Sequence, residues 1–534
     1  MPYRWHHGTN IQPLIIWIAA IAAMTNQVFL QVNPSSLSED CCPDETLFDI
    51  YHSTQASWAA ATRNFIGALP IELLLAIFTH LYRSSRRLTQ TGEIWRLDDP
   101  NLSSLFPYAP AAVCSMWRLV LSRVPEFWTR VVIRVDSQHT RSQDVRHYFE
   151  WSRNLHLDVI ITRHRDEFEG HDKREKSKVV KATRELIRHI GRCRSIHFDV
   201  MYSSSLPSIL HDFHQKTAPH LHTLKLKCQV DDGGIPHRKI VHWSFHAPGL
   251  CHLYLDARNF FDVCVDRNNW LRRLHSLSSL SVSRYRHFSD KGIDLYKLLR
   301  AIEESPTLAY LELKDLRFSR VRPWTTVNDI SIELISMNLE DLSGEALSEI
   351  IGYVDSAPET TRISRCAITT CHHSLISNGI AFHDLSADQD LMVPLANWRG
   401  RTLSLVSCAC FHDDFLRDMI DGGPHDQSFA CKGVKELYLV NCTKFSPRLL
   451  KTMVLKRRKL ARRSIFWRRD QETLDWTFPN VAPITLISVD GGPALSKEDR
   501  EWFDKNLGSF HWDERKWFYP FKDSGDSDHD IYGG

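Results

Sequence analysis

The sequence predicts an α/β protein: a small helical hairpin followed by an irregular solenoid of short strands. Three observations predict it. Two apolar stripes at helical period lie between residues 69 and 133, and a strand-sized leucine frame returns repeatedly beyond residue 220. The chain of 534 residues is too long for one small domain. Composition is that of a globular protein, 43% apolar and 24% charged. With 66 basic and 64 acidic residues the net charge is only +2. That balance supplies no general attraction for nucleic acid or for an anionic membrane, so neither is expected as a partner.

Residues 1–64 form an N-terminal segment whose main feature is the apolar run Leu14 to Met24. The run is short for a membrane span and has the length of a secretory hydrophobic region. Glu39, Asp40, Asp44 and Glu45 follow it. On the charge rule this asymmetry would send the rest of the chain across a membrane. Three readings stay open: a signal or anchor, a buried or partner-facing helix, and a start codon set too far upstream. The 13 cysteines show no small-domain disulfide spacing. Reduced thiols packed as small hydrophobes are expected, and with them a cytoplasmic or nuclear protein.

Residues 65–133 carry the densest motifs. Pro70 suits a first helical position, where no N–H is needed, and Glu72 suits the positive end of a helix dipole. Leu73, Leu74, Ile77, Phe78 and Leu81 then make one helical stripe, and Val113, Cys114, Trp117 and Leu121 repeat the spacing. The sub-motifs are LPIELL from Leu69, VCSMWR from Val113, and PEFW ending at Trp128. Standing in this order they resemble an F-box. The resemblance implies a docking module for the Skp-family adaptor of a cullin–RING ubiquitin ligase. It places adaptor contacts among Leu69, Pro70, Leu73, Leu74, Ile77, Phe78, Val113, Cys114, Trp117 and Trp128, divided between the hairpin's own core and the adaptor groove. One departure is the long segment at about residues 82–105, read as a surface insertion.

Residues 134–510 are expected to form the solenoid. Residues 163–186 are highly charged and read as a solvated helix leading into the first repeats. An L-x-x-L-x-L frame then recurs at Leu221/Leu224/Leu226, Leu250/Leu253/Leu255, Leu277/Leu280/Val282, Leu308/Leu311/Leu313 and Val434/Leu437/Leu439. Gly400/Leu403/Leu405 is a sixth copy with a degraded first position. One short strand every thirty or so residues is the mark of a leucine-rich repeat. No such unit buries its apolar face alone, so the units must stack. Residues between the leucines alternate outward. They are Thr223, Lys225, His252, Tyr254, Ser279, Ser281, Tyr310, Glu312, Thr402, Ser404, Glu436 and Tyr438. Of these, Lys225, Tyr254, Glu312 and Tyr438 are the expected contacts to a protein target on a concave face. Residues 335–395 resist registration, and an irregular stretch with an insertion is expected there. Residues 511–534 end in an acidic, Gly- and Ser-rich tail expected to be disordered.

Catalytic motifs are missing: the sequence holds no phosphate-binding loop, nucleophile elbow or H-E-x-x-H pair. No enzyme activity and no cofactor are expected. Cys366, Cys371, His372 and His373, and separately Cys408 and Cys410, lack zinc-ligand spacing and read as core or surface thiols, so no metal is expected. The basic run Lys456-Arg457-Arg458-Lys459, with Arg462, Arg463, Arg468 and Arg469, reads as a solvated helix face, with a nuclear import signal or a patch for an acidic partner as the alternatives. The expected function is a substrate-recognition subunit of an SCF-type cullin–RING ubiquitin ligase with an unidentified protein target. The alternatives are a non-degradative repeat scaffold and a secreted or anchored repeat protein.

Overall fold

A computed structural model describes residues 69–85, 105–136, 139–163, 174–233, 244–265, 269–285, 293–320, 330–354, 357–371, 373, 375–421, 430–470 and 481–513. The apolar run 14–24, most of the 82–105 insertion, His372 and the acidic tail lie outside the described residues. The chain divides into two compact units, Met1–Cys193 and Arg194–Gly534. The first therefore extends past residue 133, where the helical segment was expected to end.

In the first unit, α1 (Ile71–Ser85) begins after Pro70, whose carbonyl accepts from the N–H groups of Leu73 and Leu74 at 3.1 and 3.2 Å. Glu72 occupies its first turn. The second apolar stripe is broken in a way the spacing did not show. Helix α2 (Tyr108–Val113) and helix α3 (Ser115–Ser122) meet at an extended Cys114. The Cys114 thiol caps α3 by accepting from the Trp117 N–H at 3.5 Å. Cys114 therefore caps a helix rather than packing within one. Val113 falls out of phase, and Val120 joins Trp117 and Leu121 in the core. A 3₁₀ turn (Pro125–Trp128) closes the hairpin. Phe78 meets Trp117 edge-on at 5.1 Å, and Phe106 meets Phe127 at 5.1 Å.

Strand β1 (Arg130–Arg134) pairs in parallel with β2 (Leu157–Thr162), linked by α4 (Ser142–Trp151). The Tyr108 hydroxyl donates to the Arg130 carbonyl at 2.8 Å and accepts from the Val132 N–H at 2.7 Å. It thus ties α2 to β1. The charged segment was expected to be a solvated helix, but α5 (Glu175–Ile187) is amphipathic and buries Val179, Ala182, Thr183 and Leu186. Even Glu175 is buried, its carboxylate 3.4 Å from Arg163.

The second unit is built on parallel strands: β3 (Cys193–Tyr202), β4 (Thr223–Val230), β5 (His252–Asp256), β6 (Ser279–Tyr285), β7 (Tyr310–Leu316) and β8 (Ser336–Glu340). They continue with β9 (Thr360–Ser364), β10 (Gly379–His383), β11 (Thr402–Val406), β12 (Glu436–Val440), β13 (Leu486–Asp490) and β14 (Ser509–Trp512). Each strand pairs in parallel with the next in the chain, and the sheet is open rather than closed into a barrel. Helices fill many of the connections: α6 (Leu295–Glu303), α7 (Gly344–Gly352), α8 (Asp413–Asp421), α9 (Pro447–Asp470) and α10 (Lys497–Asn506). All the frame leucines are buried, from Leu221, Leu224 and Leu226 to Leu437 and Leu439.

Residues 335–395 hold no large insertion. Their strands stay in register, but the spacing between strands shortens. The equivalent residues Ser336, Thr360, Gly379 and Thr402 lie 24, 19 and 23 positions apart. Met337, Ile363, Ile380 and Phe382 do there what leucine does elsewhere. A left-handed corner follows each of six consecutive strands. Asp341, Arg365, Asp384, Ser407, Asn441 and Gly491 directly follow β8 to β13, each in the left-handed region (φ 49° to 61°). Asp, Asn and Gly tolerate that conformation best. The N–H groups of the first five extend the ladder to the last residue of the following strand at 2.7 to 3.0 Å. The next residue is a buried cysteine in three repeats. Cys366, Cys408 and Cys442 each donate to the last carbonyl of their own strand and to a carbonyl of the preceding strand at 3.3 to 3.5 Å.

The degraded frame at Gly400 has a steric cause. A Cβ there would stand 2.3 Å from the Trp398 ring and 2.4 Å from the Asn378 carbonyl. Trp398 is buried and donates its indole N–H to the Ser377 carbonyl at 2.6 Å. It occupies the space a frame leucine would need. In the basic run of α9, Lys456, Lys459 and Arg462 are exposed as expected, and one residue departs. Arg457 is 0% exposed and donates to the carbonyls of Ala430, Cys431, Lys432 and Ala482. It is an internal staple that satisfies loop carbonyls, not part of a solvated face.

Candidate docking surfaces

The hairpin divides its apolar residues. Leu74, Ile77, Phe78, Trp117 and Trp128 form its core; Leu69 and Cys114 are half-buried; Pro70, Leu73 (45% exposed) and Val113 (52%) face solvent. Leu73 therefore leaves the stripe in which periodicity placed it. Two further exposed apolar residues were not singled out, Ile71 (45%) and Leu119 (55%). Their signal was available: each is apolar on a helix whose buried stripe is already complete without it. Among the described residues the indole N–H of buried Trp117 has no hydrogen-bond partner.

On the sheet of the second unit, register aligns one row of side chains across the strands. It runs His197, Lys225, Tyr254, Ser281, Glu312, Asn338, then Arg362, Ala381, Ser404, Tyr438, Ser488, His511. The four expected target contacts all fall in this row. Three of them, Lys225, Tyr254 and Glu312, are half-buried and line a trough of about 440 Å³ that reaches from β3 to β9. Tyr438 is in the row but is only 7% exposed, and its register neighbours Ser404 and Ser488 are also covered. Small residues on both sides leave the ring room against the sheet. It is therefore corrected from an exposed contact to a packed residue, and burial raises its pKa.

Charges in the trough are ordered. The ammonium groups of Lys225 and Lys227 lie 5.3 and 5.4 Å from the Tyr254 ring centroid, cation–π distances. Glu312 accepts from the Ser281 hydroxyl at 2.6 Å and from the Asn338 amide at 3.1 Å. Lys314 pairs with Glu340 at 2.8 Å. Arg362 approaches the buried His383 ring at 3.4 Å, and burial together with Arg362 lowers the His383 pKa to about 3. Lys227, Asn338 and Arg362 were missed from sequence. Lys227 was legible as the next outward residue after Lys225; the other two lay in the unregistered stretch.

The cysteines weighed as metal ligands are core groups. Cys366, Cys371, Cys408 and Cys410 are all buried, and burial pushes Cys366 up to about 12 and Cys442 up to about 11. Cys408 and Cys410 follow β11 rather than standing on it. Among the described residues no three His, Cys, Asp or Glu side chains gather in a metal-holding group, and no helix is long and apolar enough to cross a membrane. Neither the family models nor the curated proteins searched match this sequence.

Proposed function

We propose that the chain is the target-binding subunit of an SCF-type cullin–RING ubiquitin ligase. The hairpin docks the Skp-family adaptor, and the sheet, read as a leucine-rich-repeat solenoid, presents the target. The observation that carries the first half is the division within the hairpin. Five motif residues complete its core while Pro70, Leu73 and Val113, with Ile71 and Leu119, stay in water. Exposed large apolar residues with no role in their own core mark a surface that another protein covers. The solenoid reading is supported by the chain-order parallel strands and by the recurring left-handed corner. Such a subunit acts by proximity, raising the effective concentration of target lysines beside the ubiquitin-loaded enzyme. The test is co-purification with the adaptor, followed by ubiquitination of a captured target in the reconstituted ligase. Failure to hold the adaptor removes the reading.

A further inference from the structure

We propose that the outward face of α9 is a docking site for an acidic segment of this same chain, Asp523 to Asp530. The inference is independent of the adaptor reading and of the trough.

Helix α9 carries ten lysines and arginines and one acid, Asp470. Several of the cations are engaged. Arg457 is the internal staple, Arg458 donates to the side-chain and backbone oxygens of Asn506, and Lys451 pairs with Asp499 at 2.8 Å. Lys456 has contacts of its own. Arg448, Lys459 and Arg462 are exposed. At i, i+11 and i+14 they share one side of the helix, opposite buried Leu450, Met453, Val454 and Arg457. Arg448 lies in the field of Asp499. Among the described residues Lys459 and Arg462 have no ion-pair partner. Leu455, 45% exposed, stands on the same side and takes no part in the core.

The flanking helices do not neutralise this row. On α8, Asp413 accepts from the Ser446 N–H at 2.6 Å, Asp414 pairs with Arg417, and Asp418 is engaged as well. On α10, Asp499 is the acid bonded to α9, while Glu501 and Asp504 fall on the opposite side of that helix. What remains is a cationic stripe around an exposed leucine, a surface that calls for an acidic occupant.

Charge, reach and length select the occupant. Beyond β14 stand Asp523, Asp526, Asp528 and Asp530, with Lys522 the one lysine or arginine in residues 522–534. Ile531 and Tyr532 follow directly, apolar groups that can cover Leu455 as a phosphate backbone cannot. Phe445, just before α9, lies 6.0 Å ring to ring from Trp512 at the end of β14. The ten residues from Asp513 to Asp523 span up to about 33–36 Å. The cation row from Arg448 to Arg462 is roughly 21 Å long. Asp523 to Asp530, extended, covers roughly 22–24 Å. The acids therefore spread over the length of the cations. Tethering holds the segment at an effective concentration on the order of millimolar, enough to populate weak exposed ion pairs.

The experiment is zero-length carbodiimide crosslinking of the full chain, which joins a contacting lysine and carboxylate as an amide with loss of water. The monomer band is mapped by peptide mass spectrometry. Lys459 is expected to link to the Asp523–Asp530 segment, with the yield falling about ten-fold in 1 M salt, the scale of three exposed ion pairs. Lys459→Glu/Arg462→Glu should remove the link, and changing the four tail aspartates to lysine in that variant should restore one between position 459 and the tail. Melts should stay unchanged, because Lys459 and Arg462 are exposed. As a second reading, changing the four aspartates to asparagine should let the chain bind a fluorescein-labelled Asp-Ser repeat peptide about ten-fold more tightly than the parent does. No link, a link insensitive to salt, or no restoration by the charge exchange overturns the proposal. A link confined to a dimer band assigns the face to a second copy, and equal peptide binding by parent and asparagine variant assigns it to a foreign acidic partner; either result also overturns it.

Discussion

The Trp128 indole N–H donates to the Leu121 carbonyl at 2.9 Å, with both residues fully buried. This bond joins the closing PEFW turn to the last turn of α3, where helix carbonyls have no partner within the helix. Trp128→Phe keeps most of the ring and removes the donor. The Leu121 carbonyl keeps a second donor, the Val124 N–H at 3.1 Å, so the loss should cost about 0.5–1.5 kcal/mol, the scale of one hydrogen bond. Trp128→Ala should cost about 3–5 kcal/mol through the added cavity. Chemical denaturation measures both. A Trp128→Phe variant as stable as the parent would show that the bond does not hold the hairpin closed.

Gly400 offers a second test, because sequence logic and structure disagree there. The repeat frame asks for leucine. Trp398 and the Asn378 carbonyl already fill the site. Gly400→Leu should therefore fail to improve the frame and should destabilise by at least about 1–3 kcal/mol, as overpacking does. A thermal melt decides it; a raised melting temperature would mean that the indole yields easily.

The acid limb of the second unit's stability curve should carry two opposed contributions. His383 is lowered from 6.5 to about 3, mainly by burial. Between those values the unfolded chain binds the extra proton. Its stabilisation is complete above pH 6.5 and is lost as pH falls towards 3, by up to about 1.4 kcal/mol per pH unit. Asp256, raised by burial from 3.8 to about 6, works oppositely, since the native state holds the proton between those values. His383→Gln should flatten the acid limb of the stability curve, and Asp256→Asn should steepen it. Urea titrations at several pH values give the slopes.

The parallel strands were legible wherever leucine marked them, from Leu221 to Leu313 and again at Leu403 and Leu437. They were illegible where Met337, Ile363 and Phe382 replaced leucine while the spacing shortened, although the Asp341, Asp384 and Asn441 corners were a usable signal. Charge misled twice. Arg457 and Glu175 read as solvated but are buried with partners, which no periodicity reveals. In the candidate site, register put Lys225, Tyr254 and Glu312 where alternation placed them, and packing alone removed Tyr438 from the surface.

The central claim is that the exposed apolar residues of the hairpin hold an adaptor. Pro70 and Leu73 are exposed and outside the core, so replacing both with alanine should change stability by only about 0.5–1 kcal/mol. The direct measurement is capture of purified Skp-family adaptor by the wild-type chain and by Pro70→Ala/Leu73→Ala, with melts run in parallel. The account predicts a stoichiometric complex for the wild type and much weaker capture by the variant at an unchanged melting temperature. Equal capture by both, or none by the wild type, would contradict it.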